Sequence, residues 1–210
     1  MKRARIVAGV AAASVALIGC VSVLPKAAPV QLYRFGAADG AGTALVAPAP
    51  GAPVVSLGGV VLPRAAAGDG LLTVTGDEAA YVAGARWVSP AVVLMREAAV
   101  RAFMRRPGVR LVGADAPAPL RLDLVVTDFD TVYPTAGAAP SVRLVLTATL
   151  TSRAGAAVNR VVSVVRPVSE NRLRAIVPTY DMVVDDALGQ VAAWTEREAV
   201  LRPPQPLAAP

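Results

Sequence analysis

Two segments in the second half of the chain alternate apolar and polar residues with a period of two. In residues 120–126 and again in residues 142–150, every even-numbered position is leucine, valine or alanine. Successive side chains of a β-strand point to opposite faces of the sheet, so both segments predict strands with one buried face. Arg153-Ala154-Gly155 predicts a tight turn into a third strand, Val158 to Val168. The rest of the chain must therefore fit around an antiparallel meander.

Two further segments repeat apolar residues at helical spacing. Pro90 to Arg105 is predicted as a helix, with Ser89 as its N-cap and a buried stripe. That stripe is Val92, Met95, Ala99, Ala102 and Phe103. Pro178 to Val200 is predicted as a second helix, with acids toward its N-terminus, where the helix dipole favours them. Its stripe is Tyr180, Val184, Ala187, Val191 and Trp194.

Shorter apolar runs complete the expected fold. They predict four strands: Gln31 to Phe35, Val54 to Leu62, Leu71 to Thr75 and Val109 to Val112. Both helices need a sheet face to bury their stripes. The expected fold class is therefore α/β, a single domain with a mixed, largely antiparallel β-sheet covered by two long helices, preceded by a signal peptide and a short tether.

The start of the chain carries the pattern of an export signal. Three basic residues lie within positions 1–5, and residues 6–18 are an unbroken run of apolar and small residues. Such a run suits a secretory signal and is shorter than the roughly 20 residues that span a bilayer. Leu17-Ile18-Gly19-Cys20 is similar to a bacterial lipobox, in which a cysteine thiolate takes the lipid. An ordinary secretory peptide cut near residues 11–13 is the alternative, but the lone cysteine favours lipid attachment at Cys20.

The predicted organisation has four segments. Residues 1–19 are a lipoprotein signal peptide, residues 20–30 the lipidated N-terminus and tether, residues 31–201 the α/β domain, and residues 202–210 a disordered proline-rich tail. Within the domain, Gly36 to Pro53 is rich in glycine, alanine and proline and predicts a mobile loop.

Missing residue types restrict the chemistry. The chain has no histidine, its single cysteine is Cys20, and its only lysines are Lys2 and Lys26. Histidine-dependent triads, histidine metal sites and a lysine nucleophile in the domain are thereby excluded. We expect no catalytic, metal-binding or cofactor-binding residues, no cofactor and no enzyme. The net charge of +6 includes three basic residues of the signal, so the remainder gives no argument for nucleic acid.

Two pairs of side chains admit a functional and a structural interpretation. Tyr81 and Trp87 could form a platform for a lipid tail or a partner, but packing of a strand against the following helix is favoured. Asp128 and Asp130 could contribute to a cation site, because alternate strand positions point the same way. No further acid converges on them in the sequence, so this signal is weak.

Charged clusters and one valine-rich strand are similarly open. Arg101, Arg105 and Arg106, with Arg110 nearby, could hold phosphate head groups; a solvated helix face, with Glu97 pairing to Arg101, is favoured. The pair Asp185-Asp186 is interpreted in the same way, as a solvated helix face. Val161 to Val168 breaks strict alternation, which predicts either burial on both faces or a subunit contact.

The order of segments along the chain resembles that of a known family. Behind the lipobox come a first strand of Tyr-x-Phe type in Gln31 to Phe35, a second strand leaving through Val61-Leu62-Pro63, the segment Glu78 to Pro90, and an acidic helix with a late Trp194. Together they resemble the ABC-type transport auxiliary lipoproteins, the group that includes the PqiC-like proteins. The resemblance covers most of residues 31 to 200, and Tyr81 to Pro90 is its most specific part.

This resemblance implies an accessory periplasmic role in the MCE-domain systems that move phospholipid or related lipids in Gram-negative envelopes. The implied partners are an MCE-domain protein and ABC transporter components, with homo-oligomerisation left open. The family supplies no catalytic residues. Cys20 would carry fatty acyl chains such as palmitate, and Val21, where inner-membrane lipoproteins carry aspartate, predicts the periplasmic face of the outer membrane. The alternative is another outer-membrane lipoprotein with an assembly or structural role; a carboxylate-based glycosidase lacks a recognisable acid pair.

Overall fold

The computed structural model describes residues 29–36 and 46–202, which form one α/β domain with an eight-stranded sheet. The strands are β1 (Gln31–Tyr33), β2 (Val54–Val61), β3 (Gly70–Thr75), β4 (Glu78–Trp87), β5 (Arg110–Val112), β6 (Leu120–Tyr133), β7 (Ser141–Ser152) and β8 (Ala157–Pro167). The helices are α1 (Arg64–Ala67), α2 (Ala91–Met104) and α3 (Leu173–Leu201). Cys20, the predicted signal peptide, most of the predicted tether, residues 37–45 of the predicted loop and residues 203–210 of the predicted tail lie outside the described residues.

The long strand β6 organises the sheet. One of its edges pairs antiparallel with β7, from Leu120 opposite Ser152 to Val132 opposite Ser141. Its other edge is shared by two parallel strands, with β2 along the first half of β6 and β3 along the last residues. The short helix α1 connects these two strands. The chain therefore follows the same edge of β6 twice in the same direction.

The remaining strands extend the sheet outward on both sides. β8 pairs antiparallel with β7, β4 pairs antiparallel with β3, and β1 and β5 add in parallel to β4 and β2. The three longest strands thus form the antiparallel meander that the alternation predicts, while the parallel pairings are short. The predicted mixed sheet in an α/β domain is confirmed, with two long helices and one of four residues.

One face of the sheet carries the core. The even-numbered residues of β6 from Leu120 to Val126, and those of β7 from Val142 to Leu150, are buried beneath α2 and α3, as predicted. The predicted stripe of α3 is buried throughout, and that of α2 is buried except for the half-buried Val92. None of the helices in the described part of the chain is both long and apolar enough to cross a membrane.

Both long helices begin differently from the prediction. Pro90, not Ser89, is the N-cap residue of α2, and it makes no side-chain capping bond. The backbone carbonyl of Gly68 accepts a hydrogen bond from the Ala91 N–H at 2.8 Å, which satisfies a donor that a serine hydroxyl would otherwise take. Helix α3 begins at Leu173, so Pro178 lies inside it. Burial of Ile176 against the core stabilises this additional N-terminal turn.

Candidate functional site

A cluster of four aromatic rings lies between the sheet and α3. Phe35, Trp87, Phe129 and Tyr180 pack mainly edge to face, with ring centroids of neighbouring pairs 4.9 to 5.1 Å apart. Edge-to-face packing of this kind is favourable beyond the area that it buries. Trp87 is only 3% exposed, so the prediction of core packing is confirmed for this residue.

Tyr81 does not join the cluster. Its side chain is 52% exposed, its hydroxyl donates to the Ala65 carbonyl at 2.9 Å, and its ring lies over Gly70. The prediction of core packing is therefore wrong for Tyr81, and the two aromatic residues do not form a shared platform. The cause is an irregularity in β4: the pairing with β3 shifts between Gly70 and Leu72, which places Tyr81 and Trp87 in different surroundings.

The hydroxyl of Tyr180 is held inside the aromatic cluster. The Thr131 hydroxyl donates a hydrogen bond to the Tyr180 hydroxyl at 3.0 Å, and the Tyr180 hydroxyl donates to the Leu72 carbonyl at 3.4 Å. Burial raises the pKa of Tyr180 well above its usual value. The group is thus protonated at neutral pH and acts as a hydrogen-bonding part of the core.

Arg143 occupies the position between Asp128 and Asp130. Its Nη2 lies 3.1 Å from Asp128 Oδ1 and 2.9 Å from Asp130 Oδ2, and its Nε donates to Asp130 Oδ1 at 3.1 Å. Hydrogen bonding to Asp130 raises the pKa of Arg143. The two carboxylates do point the same way, but the cation they hold is the guanidinium of β7. Within residues 29–36 and 46–202, no group of three or more potential ligands could hold a metal ion.

The arginines in the last turn of α2 and directly after it bind neighbouring elements. Arg105 pairs with Asp185 of α3, and Arg106 lies 3.3 Å from Glu196. Arg101 Nε donates to the Gly36 carbonyl at 2.6 Å, and the predicted contact with Glu97 is present at 3.8 Å. The cluster is therefore neither a solvated face nor a row of arginines open to phosphate groups. It attaches α2 to α3 and to the chain behind β1.

The two aspartates of α3 are also engaged. Asp185 pairs with Arg105, and Asp186 pairs with Arg166 of β8. Their side chains are 46% and 42% exposed, so both lie on a solvated face as predicted, and their partners lie on other elements that pack against α3. The ion pairs place α3 between α2 and the outermost strand of the meander.

The sheet face opposite the helices, here called the outer face, is covered by none of the described elements along the meander. The register places Val61 beside Val125, Val125 beside Thr147, and Thr147 beside Val161. The three valines of this row are exposed. Only alternate valines of β8 are buried, so the predicted burial on both faces does not occur. Exposed β-branched residues on a sheet are a feature of surfaces that pair with other molecules.

A second exposed apolar feature lies at the other end of the sheet. An open cleft of about 460 Å³ runs between residues 46–48, the C-terminal half of α2, and β5. Phe103, Met104 and Leu111 line it, together with Arg110. Both surfaces present apolar side chains to the solvent.

The chain belongs to the ABC-type transport auxiliary lipoprotein family. The model of the family's lipoprotein component matches residues 33–192. This range includes the last residue of β1, all of the other strands, and α3 as far as residue 192. Among curated proteins, no sequence matches the chain. The family match accounts for the order of elements described above.

Two crystal structures have folds similar to that of this chain. A Xanthomonas campestris protein of the DUF330 family is 19% identical, with a TM-score of 0.68 over 82% of this chain and 98% of that protein. A hypothetical protein of Chlamydia trachomatis is 10% identical, with a TM-score of 0.52 over 72% of this chain and 99% of that protein. At these identities the likeness shows a shared fold.

Proposed function

We propose that this protein is a membrane-anchored periplasmic accessory lipoprotein of an ABC/MCE-type envelope lipid-transport system. It acts by docking onto the transport complex and organising it. The match of the auxiliary lipoprotein family to residues 33–192 carries this proposal. The exposed outer face and the apolar cleft support a role in binding, because both present apolar side chains to a partner.

The proposed anchor is an acylated Cys20. Residues 21–30 reach about 30 Å when extended at about 3.3 Å per residue, which keeps the domain near the membrane. One acyl chain binds a bilayer only reversibly, so several chains on one cysteine are needed for firm retention. The intact mass of the purified protein tests this: the mature chain should begin at a lipid-bearing Cys20, and Cys20→Ser should no longer be retained. A different mature start would contradict the proposed anchor.

The proposed destination is the periplasmic leaflet of the outer membrane. Val21 follows the acylated residue, where aspartate marks inner-membrane retention in Gram-negative lipoproteins. Density-gradient fractionation should place the wild type with outer-membrane markers and move Val21→Asp inward. Recovery of the wild type wholly with the inner membrane would contradict this destination and leave the proposed docking role to be judged separately.

The proposed partners are an MCE-domain protein and ABC transporter components. Lys26 is the only lysine beyond the signal peptide, so amine-reactive cross-linkers would report on the tether alone. A photoactivatable residue should instead replace Val161 on the outer face or Val93 on α2, both exposed. Adducts containing an MCE-domain protein are expected from at least one position. Adducts only with outer-membrane assembly factors would instead support the alternative role in envelope assembly.

A further inference from the structure

We infer that the free edge of β8 accepts an extended acidic segment of a partner protein as a ninth strand of the sheet. β8 is an edge strand of 11 residues, and no described element pairs with its other side. The inference concerns how a partner binds and does not depend on which transport system the protein serves.

The direction of the backbone groups shows which residues are free. The Val168 N–H donates to the Pro140 carbonyl of the β7 side, and the Ser152 N–H of β7 donates to the Ala156 carbonyl. Antiparallel ladders alternate, so even-numbered residues of β8 direct their backbone groups at β7 and odd-numbered residues direct theirs away. The free donors and acceptors of the central edge are therefore those of residues 159, 161, 163 and 165.

This edge has little of the protection that natural sheets use. Exposed edges are usually interrupted by a bulge, carry charged side chains, especially lysine, or are covered by another element. The register between β7 and β8 is continuous from Ala157 to Pro167 without a bulge, and the charges of the strand are limited to Arg160 and Arg166. Proline stands only at the final position. Val161 and Val165 are 64% and 56% exposed. Both also have free backbone groups, so apolar side chains and unpaired backbone groups are exposed together at this edge.

The charges of β8 select the partner. The strand carries Arg160 and Arg166 and no acid. Arg166 is paired with Asp186, whereas Arg160 has no ion pair within the described residues. A second copy of β8 pairing antiparallel about Ser163 would place Arg160 opposite Arg166, and like charges directly opposite are destabilising. An acidic segment makes favourable cross-strand pairs instead.

The side-chain faces define the pattern of the added strand. A residue opposite Val161 would lie on the outer face and extend the row of Val61, Val125 and Thr147. A residue opposite Val165 would lie on the same face, beside the row of Asp130 and Arg143. A residue opposite Arg160 would lie on the other face, which Arg160 shares with the buried Val162 and Val164. The partner segment thus alternates β-branched apolar residues with acids, and its backbone supplies most of the affinity.

A synthetic nine-residue peptide that alternates valine with glutamate provides the probe. Binding to the full mature lipoprotein in nanodiscs is measured by fluorescence anisotropy, and hydrogen exchange locates the site. The amides of Val161, Ser163 and Val165 should become protected. A matched peptide with lysine in place of each glutamate should bind about tenfold more weakly. Equal binding of the two peptides, or no binding of either, would overturn the inference.

Variants at Ser163 and Arg160 separate edge pairing from other modes. Ser163→Pro removes one outward N–H and no bond to β7, so affinity should fall about tenfold, while Ser163→Ala should change it less than about twofold. Arg160→Glu should weaken the glutamate peptide and favour the lysine peptide, which keeps the test valid if the proline variant fails to fold. Self-association that Ser163→Pro abolishes would identify a second copy as the occupant and refute an acidic partner segment.

Discussion

At the scale of single residues, stability depends on where each aromatic side chain lies. Trp87 contacts three other rings and is almost fully enclosed, whereas Tyr81, six positions earlier on the same strand, lies half exposed on the surface. Removing an enclosed side chain costs its transfer free energy together with a cavity term, while removing an exposed one costs neither in full. Two aromatic residues of one strand are thus energetically unequal.

Trp87→Ala should lower the free energy of unfolding by about 3–5 kcal/mol, because it opens a cavity at the centre of the aromatic cluster. Tyr81→Ala serves as the control, since it loses one hydroxyl hydrogen bond and should cost about 1 kcal/mol. Urea denaturation followed by circular dichroism measures both. Equal losses from the two variants would contradict the structural distinction between them.

The buried hydroxyl of Tyr180 gives stability a dependence on alkaline pH. Because burial raises its pKa in the folded protein, the unfolded chain loses this proton first, above a pH of about 10. The unfolded state then binds fewer protons, so the free energy of unfolding falls as pH rises, by at most about 1.4 kcal/mol per pH unit. The contribution is fully present below the unfolded pKa.

Tyr180→Phe should therefore flatten the decline in stability above pH 10, although it lowers stability at neutral pH by about 1–3 kcal/mol through the unpaired Thr131 and Leu72 groups. Tyr133, whose pKa burial also raises, leaves a residual slope. Tyr81→Phe is the control for loss of an exposed hydroxyl. Urea titrations between pH 8 and 11 provide the comparison, and an unchanged slope in Tyr180→Phe would count against this role.

At the scale of elements, α3 contains a proline in its interior. Pro178 has no N–H to donate to the Arg174 carbonyl one turn earlier, and its ring crowds that turn. The helix nevertheless extends back to Leu173. Ile176 is buried there against the core, and this tertiary contact holds the first turn in place; Arg174 adds a local, exposed ion pair with Glu170.

Pro178→Ala should raise the free energy of unfolding by about 1–3 kcal/mol, because it restores a helical N–H and removes the steric conflict. The proline side chain is exposed, so its loss opens no cavity. Thr179→Ala, at a neighbouring buried position, is the control and should destabilise. Thermal unfolding of the three proteins decides the matter; a Pro178→Ala variant less stable than the wild type would show that the proline is needed for packing.

The elements that the sequence predicts well are those whose burial follows a simple period. β6 and β7 have one face in the core, so every second residue along them is apolar. β4 is mostly exposed, and a glycine at φ +68° interrupts its course, so no alternation identifies its faces. The sequence predicts too late a start for α3, because Pro178 is a strong local stop signal and the compensating burial of Ile176 is a tertiary effect.

The candidate site was harder to predict because its ion pairs join distant parts of the chain. The arginines of α2 follow a helical spacing that suggests an open basic face, but Arg105 and Arg106 pair with acids that lie 80 and 90 positions later. Likewise, Asp128 and Asp130 form ion pairs with Arg143 on the next strand. The free edge of β8 has no local signal, since only the order of strands in the sheet shows which strand is outermost.

At the scale of the whole molecule, the two faces of the sheet are used differently. Helices α2 and α3 bury one face, while the outer face and the β8 edge remain open to other molecules. The charged groups of the described residues largely serve to join elements: Arg143 of β7 pairs with Asp130 of β6, and Asp186 of α3 pairs with Arg166 of β8. This division suits a protein that works by contact, with its activity distributed over a surface.

If the protein works by contact, exposed carboxylates should be individually dispensable. Asp77, Glu78 and Asp115 are exposed and form no ion pair within the described residues, so Asp77→Asn, Glu78→Gln and Asp115→Asn remove a charge with little change in shape. The proposed role in lipid transport implies that deletion weakens the barrier of the envelope against detergents. Each variant should cost less than about 0.5 kcal/mol of stability and restore that barrier as well as the wild type. Leu146→Asp, at a fully buried position, should fail through misfolding and provides the negative control. One amide variant that folds stably but cannot restore the barrier would contradict a function based on binding alone and would direct attention to acid–base chemistry at that carboxylate.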